Sequence, residues 1–295
     1  MKNKPRVLLL GGSGFIGRNI LEQLSTKYQF ISLPRSHLNL LNEFEVSKYF
    51  SKNRPSIVIY AVNIGGVRNN LEPKDMLANN LRMFFNIVSN KKYFDRMIFL
   101  GSGAEYDIRN SLSKVREKEF GKSVPIDTYG FYKYICSRFI EEVDYIVNLR
   151  LFGIFGKYED YNVRFISNAI CKTIFNLPIT INQNVFFDYV FIDDFIRILD
   201  RFIRTPGKQK FYNVGSGKPI DLISISKKIN MLIKNRKKIV IKKRGLAKEY
   251  SCNNKLIMNE LKEFKFTPID ESLSLLYNYY VKNKHLINKK ILLDN

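Results

Sequence analysis

The chain has the sequence RVLLLGGSGFIG at residues 6–17, an apolar run followed at once by a glycine-rich loop. The run has the length and composition of a buried strand, and the stretch at residues 15–25 has the amphipathic pattern of a helix. Glycines at Gly11, Gly14 and Gly17 suit a backbone that turns sharply, approaches a phosphate group closely and opens a helix whose N–H groups face that anion. This strand–loop–helix order predicts a dinucleotide-binding fold.

The first half of the chain continues this alternation of strands and helices. Strands are predicted at residues 6–10, 28–33, 57–61, 97–101 and 145–151, and helices at residues 15–25, 43–52, 74–90 and 129–143. Later elements are predicted as helices at residues 164–175, 193–204 and 222–234 and as strands at residues 185–190 and 238–243. The fold class is therefore α/β, a Rossmann-like doubly wound parallel sheet with a smaller C-terminal α/β lobe.

The looser alternation after residue 152 suggests two lobes. We expect residues 1–151 to form the NAD(P)-binding domain, with residues 185–204 returning to it. Residues 152–295 are expected to form a substrate-binding cap.

Composition excludes several classes of protein. A chain of 295 residues with 45% hydrophobic content can bury a large core. No apolar run reaches the roughly 20 residues of a membrane helix, so we expect no integral membrane segment. Cys136, Cys171 and Cys252 lie far apart and only two histidines are present. This content argues against disulfides and a zinc site and favours a reducing, cytoplasmic location with no metal.

The formal net charge of +22 would by itself suggest a nucleic-acid or anionic-membrane partner. Lys, Asn, Ile and Phe are enriched together along the whole chain, which favours a general composition bias. Basic residues do concentrate at residues 227–244 and 282–290, but few aromatic residues lie among them to stack on bases. We therefore expect no nucleic-acid partner.

A second motif lies in the middle of the chain. Residues 129–133 are YGFYK, which puts Tyr129 and Lys133 on one face of a predicted helix. Alone, this spacing is common in a chain rich in Tyr and Lys. Residues 99–106, FLGSGAEY, end a predicted strand at Ser102, however. A strand-end serine followed by this Tyr–Lys pair indicates a catalytic group.

Together these motifs resemble those of the extended short-chain dehydrogenases/reductases, the NAD-dependent epimerase/dehydratase family. The likeness covers nearly the whole chain and includes RLFGIFG at residues 150–156, DYVFIDD at residues 188–194 and FYNVGSG at residues 211–217. Within the family, nucleotide-sugar 4-ketoreductases such as GDP-fucose synthase are the most similar group. That likeness rests on IGGV at residues 64–67, with Asn69, Asn70, Asn79 and Asn80.

The resemblance implies roles for the motif residues. Reducing a ketone puts hydride on carbon and leaves charge on oxygen, so Tyr129 is expected to deliver a proton there. Lys133 is expected to lower the pKa of Tyr129 and to hold the nicotinamide ribose, while Ser102 donates a hydrogen bond to the carbonyl. The cofactor-binding residues implied are Gly11, Ser13, Gly14, Phe15, Ile16, Gly17, Arg35, Ser36, Asn39, Leu40, Ala61, Val62, Asn80, Tyr129 and Lys133. The substrate-binding residues implied are Ser102, Gly103, Arg164 and Arg244, with Lys243 as a further diphosphate candidate.

The end of the second predicted strand indicates the cofactor. An NAD enzyme usually has an acidic residue there for the ribose diol, whereas residues 32–36 are SLPRS. Arg35 can pair with a 2′-phosphate, as can Arg18 at the start of the first helix. NADP(H) is therefore favoured, and NAD(H) stays possible.

Side chains that some family members use for catalysis are absent from this chain, and their absence limits the reactions it is expected to catalyse. Family dehydratases have an Asp–Glu pair after the hydroxyl residue, where this chain has Gly103 and Ala104. Epimerising GDP-fucose synthases use a Cys after the serine and a cap His, where this chain has Ala104 and Arg164. These differences favour reduction, without epimerisation, of a nucleoside-diphosphate (GDP- or CDP-linked) 4-keto-6-deoxy sugar by a homodimer. An NAD-dependent nucleotide-sugar 4-epimerase stays open, as does a non-catalytic dinucleotide-binding or RNA-associated protein.

Overall fold

The computed structural model describes residues 4–65, 73–234 and 236–293. Of the segment that is similar to 4-ketoreductases, Gly66, Val67, Asn69 and Asn70 lie outside these ranges. The strands are β1 (Arg6–Leu10), β2 (Gln29–Ile31), β3 (Ile57–Tyr60), β4 (Arg96–Ser102), β5 (Leu112–Val115), β6 (Ile146–Leu151), β7 (Ile154–Phe155), β8 (Ile179–Asn184), β9 (Phe186–Phe187), β10 (Val190–Phe191), β11 (Phe211–Val214), β12 (Ile220–Asp221), β13 (Ile239–Leu246) and β14 (Tyr250–Cys252). The helices are α1 (Phe15–Leu24), α2 (Glu43–Asn53), α3 (Met76–Val88), α4 (Thr128–Glu141), α5 (Phe165–Ile174), α6 (Ile192–Arg204), α7 (Leu222–Met231), α8 (Lys255–Leu261), α9 (Ile269–Lys282) and α10 (Lys289–Leu293).

The main sheet of the described chain is parallel throughout, with strand order β2-β1-β3-β4-β6-β11. The strands after β1 lie on both of its sides, because β2 pairs with one edge of β1 and β3 with the other. This reversal leaves a crevice between the loops that follow β1 and β3, which is where α/β sheets of this kind bind ligands. The predicted Rossmann-like parallel sheet is confirmed.

Alternating side chains of the strands build a separate core on each face of the sheet. Val7 and Leu9 of β1 pack with helices α1 and α6, whereas Leu8 and Leu10 pack with helices α2, α3 and α4. All four side chains are at most 5% exposed. A strand covered by helices on both faces needs a continuous apolar run, which explains the RVLLL sequence.

Strands that come mostly from the second half of the chain form small sheets beside the main one. One has the order β12-β9-β14-β5 and another pairs β13 with β8. The prediction of a single strand at residues 185–190 is wrong. The structure has two short strands there, β9 and β10, which belong to different sheets. Strand β11 returns to the main sheet beside β6. The division of the chain at residue 151 stays a prediction.

One buried carboxylate explains why several motif segments lie together. Asp188, fully buried, accepts hydrogen bonds from the backbone N of Ser216 at 2.6 Å and of Gly217 at 3.0 Å. Gly153 has φ +44°, and a Cβ there would lie 2.3 Å from the Asp188 carbonyl oxygen. The segments at residues 150–156, 188–194 and 211–217 therefore meet through Asp188, next to the C-terminal end of β6.

Among the described helices, none combines the length and the apolar character needed to span a bilayer.

Candidate active site

The glycine loop brings β1, α1 and the loop after β3 closer together than side chains allow. Gly11 has φ +89°, and a Cβ on it would lie 2.6 Å from the carbonyl oxygen of Ala61. A Cβ on Gly17 would lie 2.1 Å from the carbonyl oxygen of Gly11. Both positions therefore require glycine for backbone-to-backbone contact, as the sequence motif indicated.

The N-terminus of α1 suits an anion. Gly14 is the N-cap, and within the described chain no side chain caps the helix there. The first turn contains no acidic residue, and Ser13 and Gly14 are exposed. The N–H groups of this turn and the positive end of the helix dipole therefore fit the pyrophosphate of a dinucleotide. Phe15 and Ile16 are half-buried against the core behind the loop.

The side chain of Asn80 is hydrogen-bonded to the loop that follows β3. Its side-chain oxygen accepts a hydrogen bond from the backbone N of Ile64 at 2.9 Å, and its Nδ2 donates to the Ile64 carbonyl at 2.9 Å. This buried amide fixes the loop that contains Ala61 and Val62. Direct contact of Asn80 with a cofactor stays a prediction.

The segment after β2 is exposed at Arg35 and Ser36, within a turn. The Oδ1 of Asn39 accepts from the backbone N of Leu41 at 3.2 Å, and Leu40 is 9% exposed in the core. The guanidinium of Arg18 lies 3.8 Å from the centre of the Tyr158 ring, in the loop after β7. Pairing of Arg18 with a 2′-phosphate stays a prediction.

The three expected catalytic residues come together at the C-terminal edge of the sheet. Ser102 is the last residue of β4, and Tyr129 lies in the first turn of α4, which Asp127 caps by accepting from the backbone N of Gly130 at 2.7 Å. Ser102 lies close enough to Tyr129 for its side chain to lower the pKa of the phenol. The Nζ of Lys133 lies 5.9 Å from the centre of the Tyr129 ring.

The Lys133 side chain is buried against the sheet. It is 4% exposed, and its Nζ donates to the carbonyl of Leu100 at 2.6 Å and lies 4.4 Å from the centre of the Phe99 ring. Burial lowers the pKa of Lys133 to about 8, while its neighbours Cys136 and Glu105 act in the opposite direction. The side chain therefore changes charge near neutral pH.

Several neighbouring groups act on the pKa of the Tyr129 phenol. Burial raises the pKa of the phenol, and this is the largest effect on it. The Ser102 side chain and the positive charge of Arg164 act in the opposite direction, lowering the pKa of Tyr129. A cationic contribution comes from Arg164 at the N-cap of α5, and the lowering by Lys133 stays a prediction.

Glu105 follows Ser102 in a short 3₁₀ turn, and its buried contacts indicate a structural role. Its carboxylate is fully buried and accepts hydrogen bonds from the backbone N of Ser102 at 2.9 Å, Ser137 Oγ at 2.5 Å and Asn148 Nδ2 at 3.1 Å. It also pairs with Arg150 Nε at 2.6 Å. The carboxylate therefore anchors the backbone of Ser102.

Sequence reasoning missed Glu105, although a signal existed. Arg150 is a cation inside a mostly apolar strand, and its guanidinium carbon lies 4.3 Å and 4.4 Å from the ring centres of Phe120 and Phe211. A buried cation needs a buried anion. Glu105, next to the predicted strand end, was the available acid.

Gly103 touches a side chain that the sequence did not indicate. A Cβ on Gly103 would lie 2.5 Å from the hydroxyl of Tyr250 and 2.6 Å from the Phe152 ring. The rings of Tyr250 and Phe187 are 5.6 Å apart. An aromatic surface from β14 and β9 therefore covers the site beside Ser102.

The two arginines expected to bind substrate are placed differently. Arg164 is exposed, and its charge acts on Tyr129 and on Glu159. Arg244 is exposed on β13, where its carbonyl accepts from Gln183 Nε2 at 3.3 Å. Arg164 thus lies near the catalytic group, while the role of Arg244 stays a prediction. The described residues contain no cluster of three or more His, Cys, Asp or Glu that could hold a metal ion.

Residues 7–215 match the model of the NAD dependent epimerase/dehydratase family. The chain belongs to this family. GDP-L-colitose synthase of Yersinia pseudotuberculosis is 25% identical over 185 residues, which are 57% of this chain and 60% of that protein. The chain therefore spans about three-fifths of this relative.

Solved structures of family enzymes share the fold over nearly the full chain. UDP-glucose 4-epimerase of Thermotoga maritima, solved with UDP-glucose, has a TM-score of 0.80 and 19% identity, covering 95% of this chain and 99% of that one. GDP-L-fucose synthetase of Naegleria fowleri, solved with NADP, has a TM-score of 0.82 and 13% identity, covering 98% of both chains. At these identities the likeness concerns the fold.

Proposed function

We propose that the protein reduces the 4-keto group of a nucleoside-diphosphate 4-keto-6-deoxy sugar, GDP- or CDP-linked, with NADPH and without epimerisation. The observation that supports this most strongly is the grouping of Ser102, Tyr129 and Lys133, in which the Lys133 Nζ lies 5.9 Å from the centre of the Tyr129 ring. This group lies at the C-terminal edge of the sheet, as does the glycine loop, whose geometry suits a pyrophosphate.

Each catalytic residue has a distinct task in this proposal. A bound nicotinamide dinucleotide supplies the hydride. Tyr129 donates its proton to the ketone oxygen, and Ser102 donates a hydrogen bond to the same oxygen. The positive charges of Lys133 and Arg164 stabilise the phenolate that Tyr129 becomes when its proton has left.

The groups that a dehydratase or an epimerising synthase needs are missing from the expected positions. Gly103 and Ala104 offer no side chain that transfers a proton. The carboxylate of Glu105 is committed to Arg150, Ser137 and Asn148. These features support reduction alone.

NADPH is the proposed reductant because Arg35 is exposed just after β2, where an NAD enzyme usually has an acid. The NADP seen in the Naegleria fowleri relative is consistent with this choice. NAD(H) remains the alternative cofactor.

The alternative activity is an NAD-dependent nucleotide-sugar 4-epimerase. The same Ser, Tyr and Lys are enough for that reaction, and the fold is shared with the UDP-glucose 4-epimerase of Thermotoga maritima. An epimerase re-reduces its own intermediate, so it would retain its cofactor through purification and consume none.

We also propose a homodimer. Phe85 of α3 is 37% exposed and packs edge to face on Phe139 of α4, with ring centres 5.5 Å apart. An exposed Phe85 packed on a half-buried Phe139 of the neighbouring helix suits a face covered by a second copy. A cytoplasmic location stays a prediction.

The test is NADPH consumption with GDP-linked and CDP-linked 4-keto-6-deoxy sugars. Turnover with either sugar, lost by at least about 100-fold in Tyr129→Phe, supports the proposal. Tyr132→Phe is the matched control, because the buried Tyr132 hydroxyl has no hydrogen-bond partner among the described residues and its loss should leave turnover unchanged. Unchanged turnover in Tyr129→Phe, or none in wild type with either cofactor, contradicts the proposal.

A further inference from the structure

The cap contains a stretch of unusual charge, residues 227–248, here called the basic strip. It contains ten Lys and Arg residues, and residues 222–248 contain no Asp or Glu. Within the described chain, Lys228 is the only member that forms an ion pair, with Asp270 at 2.8 Å. The exposed basic members are Lys227, Lys234, Arg236, Lys238, Lys242, Lys243, Arg244 and Lys248.

The strip is held in one part of the cap by its own contacts. It begins in the last turns of α7 and ends just after β13. Asn230 Nδ2 donates to the carbonyl of Lys237, and the backbone N of Lys237 donates to Asn230 Oδ1, both at 2.9 Å. These two bonds fix the start of the β13 segment against the end of α7. The basic residues therefore belong to one continuous region, formed by the end of α7 and by β13.

Large apolar side chains are exposed among these charges. Met231 is 73% exposed, Leu246 is 62% exposed and Ile241 is 42% exposed. If only cations were exposed on this edge strand, they could be explained as protection against pairing of the strand with another molecule. Exposed aliphatic groups oppose that purpose, because they favour association. The combination instead suits a partner that offers both negative charge and an apolar layer.

We propose that the basic strip binds the surface of an anionic phospholipid membrane. Lys and Arg would contact the headgroups, and Met231, Ile241 and Leu246 would enter the boundary between headgroups and acyl chains. A nucleic acid fits less well, because residues 227–248 contain no Phe, Tyr or Trp to stack on bases. This proposal goes beyond the reductase activity and does not depend on it.

The test is co-sedimentation of the full chain with vesicles of two parts phosphatidylcholine to one part phosphatidylglycerol, and with phosphatidylcholine vesicles alone. Binding to the anionic vesicles only, weakened at least about tenfold by combining Lys234→Glu, Lys238→Glu and Lys242→Glu, supports the proposal. The charge-matched control combines Lys48→Glu, Lys52→Glu and Lys118→Glu, three exposed residues elsewhere. Binding that both triple variants weaken equally would show an effect of net charge alone and overturn the proposal.

A second variant separates lipid contact from attraction of charges. Combining Met231→Gln and Leu246→Gln leaves every charge in place and should weaken vesicle binding several-fold at high salt, where charges are screened. RNA binding measured over the same salt series is the competing outcome. Binding to RNA but not to anionic vesicles, or vesicle binding insensitive to the apolar changes, would overturn the proposal.

Discussion

At the scale of single residues, Lys133 combines a functional position with a cost in stability. Its ammonium is buried, and this burial lowers its pKa to about 8 from a usual value of 10.5. Below about pH 8 the folded protein must keep a charge away from water, whereas the unfolded chain does not. The cost disappears as the pH rises towards 10, because the unfolded chain then also loses the proton.

We expect Lys133→Met to stabilise the cofactor-free protein while removing turnover. The free energy of unfolding should rise by about 1–2 kcal/mol near pH 7, since the relief of the buried charge exceeds the loss of one hydrogen bond to Leu100. Urea denaturation at several pH values measures this, with the exposed Lys48→Met as control. A destabilised Lys133→Met, or a gain that grows above pH 8, contradicts the assignment.

Sequence reasoning found Ser102, Tyr129 and Lys133 because a spacing of four on a helix and a serine at a strand end determine their positions. It missed Glu105 and Tyr250 for different reasons. Glu105 is explained by a partner on another strand, Arg150. Tyr250 reaches Gly103 through the pairing of β14 with β5 and β9, which no local pattern indicates.

At the scale of elements, the glycine loop and α1 make one unit in which two glycines have different tasks. Gly17 permits contact between α1 and the backbone of Gly11, since a Cβ there would lie 2.1 Å from the Gly11 oxygen. Gly14 has more space, because a Cβ there would lie 3.4 Å from the same Gly11 oxygen. The motif thus contains one glycine for packing and one beside the expected pyrophosphate.

Gly17→Ala should destabilise the protein by at least about 2–3 kcal/mol, because the backbone contact cannot yield without moving α1. Gly14→Ala is the matched variant and should change the free energy of unfolding by less than about 1 kcal/mol. Its affinity for a dinucleotide should fall, because the new methyl group lies at the helix start. Thermal unfolding and cofactor fluorescence titration measure both, and equal stability losses in the two variants contradict this division.

At the scale of the whole molecule, contacts between distant segments decide what the sequence could not. The parallel sheet followed from local patterns, but β11 beside β6 and β14 beside β5 join segments far apart in the chain. Glu159 is another such site. Ser167 Oγ of α5 donates a hydrogen bond to the Glu159 carboxylate at 2.7 Å. Tyr280 of α9 lies close enough that, besides burial, the charge of Glu159 raises the pKa of its phenol. Burial raises the pKa of Glu159 to about 7.

Glu159 should therefore make stability depend on pH. Because its pKa in the folded protein exceeds its usual value of 4.5, its favourable contribution is greatest at low pH and is lost as the pH rises through about 7. Glu159→Gln should raise the free energy of unfolding by about 2 kcal/mol near pH 8 and by much less near pH 5. Denaturant titrations at both values check this against the exposed Glu142→Gln. A pH-independent effect contradicts it.

In the proposed reaction, hydride is transferred to C4 of the sugar with the assistance of Tyr129. Tracing deuterium from the cofactor into the sugar tests this transfer most directly. NADPH carrying deuterium at either face of its nicotinamide C4 would be turned over with the preferred 4-keto-6-deoxy sugar, and the product examined by NMR, with a parallel reaction in deuterated water. We predict deuterium from one face of NADPH at C4 of the sugar, with no solvent deuterium on the neighbouring carbons. Absence of the label from C4, or solvent deuterium at C3 or C5, would contradict a reduction without epimerisation.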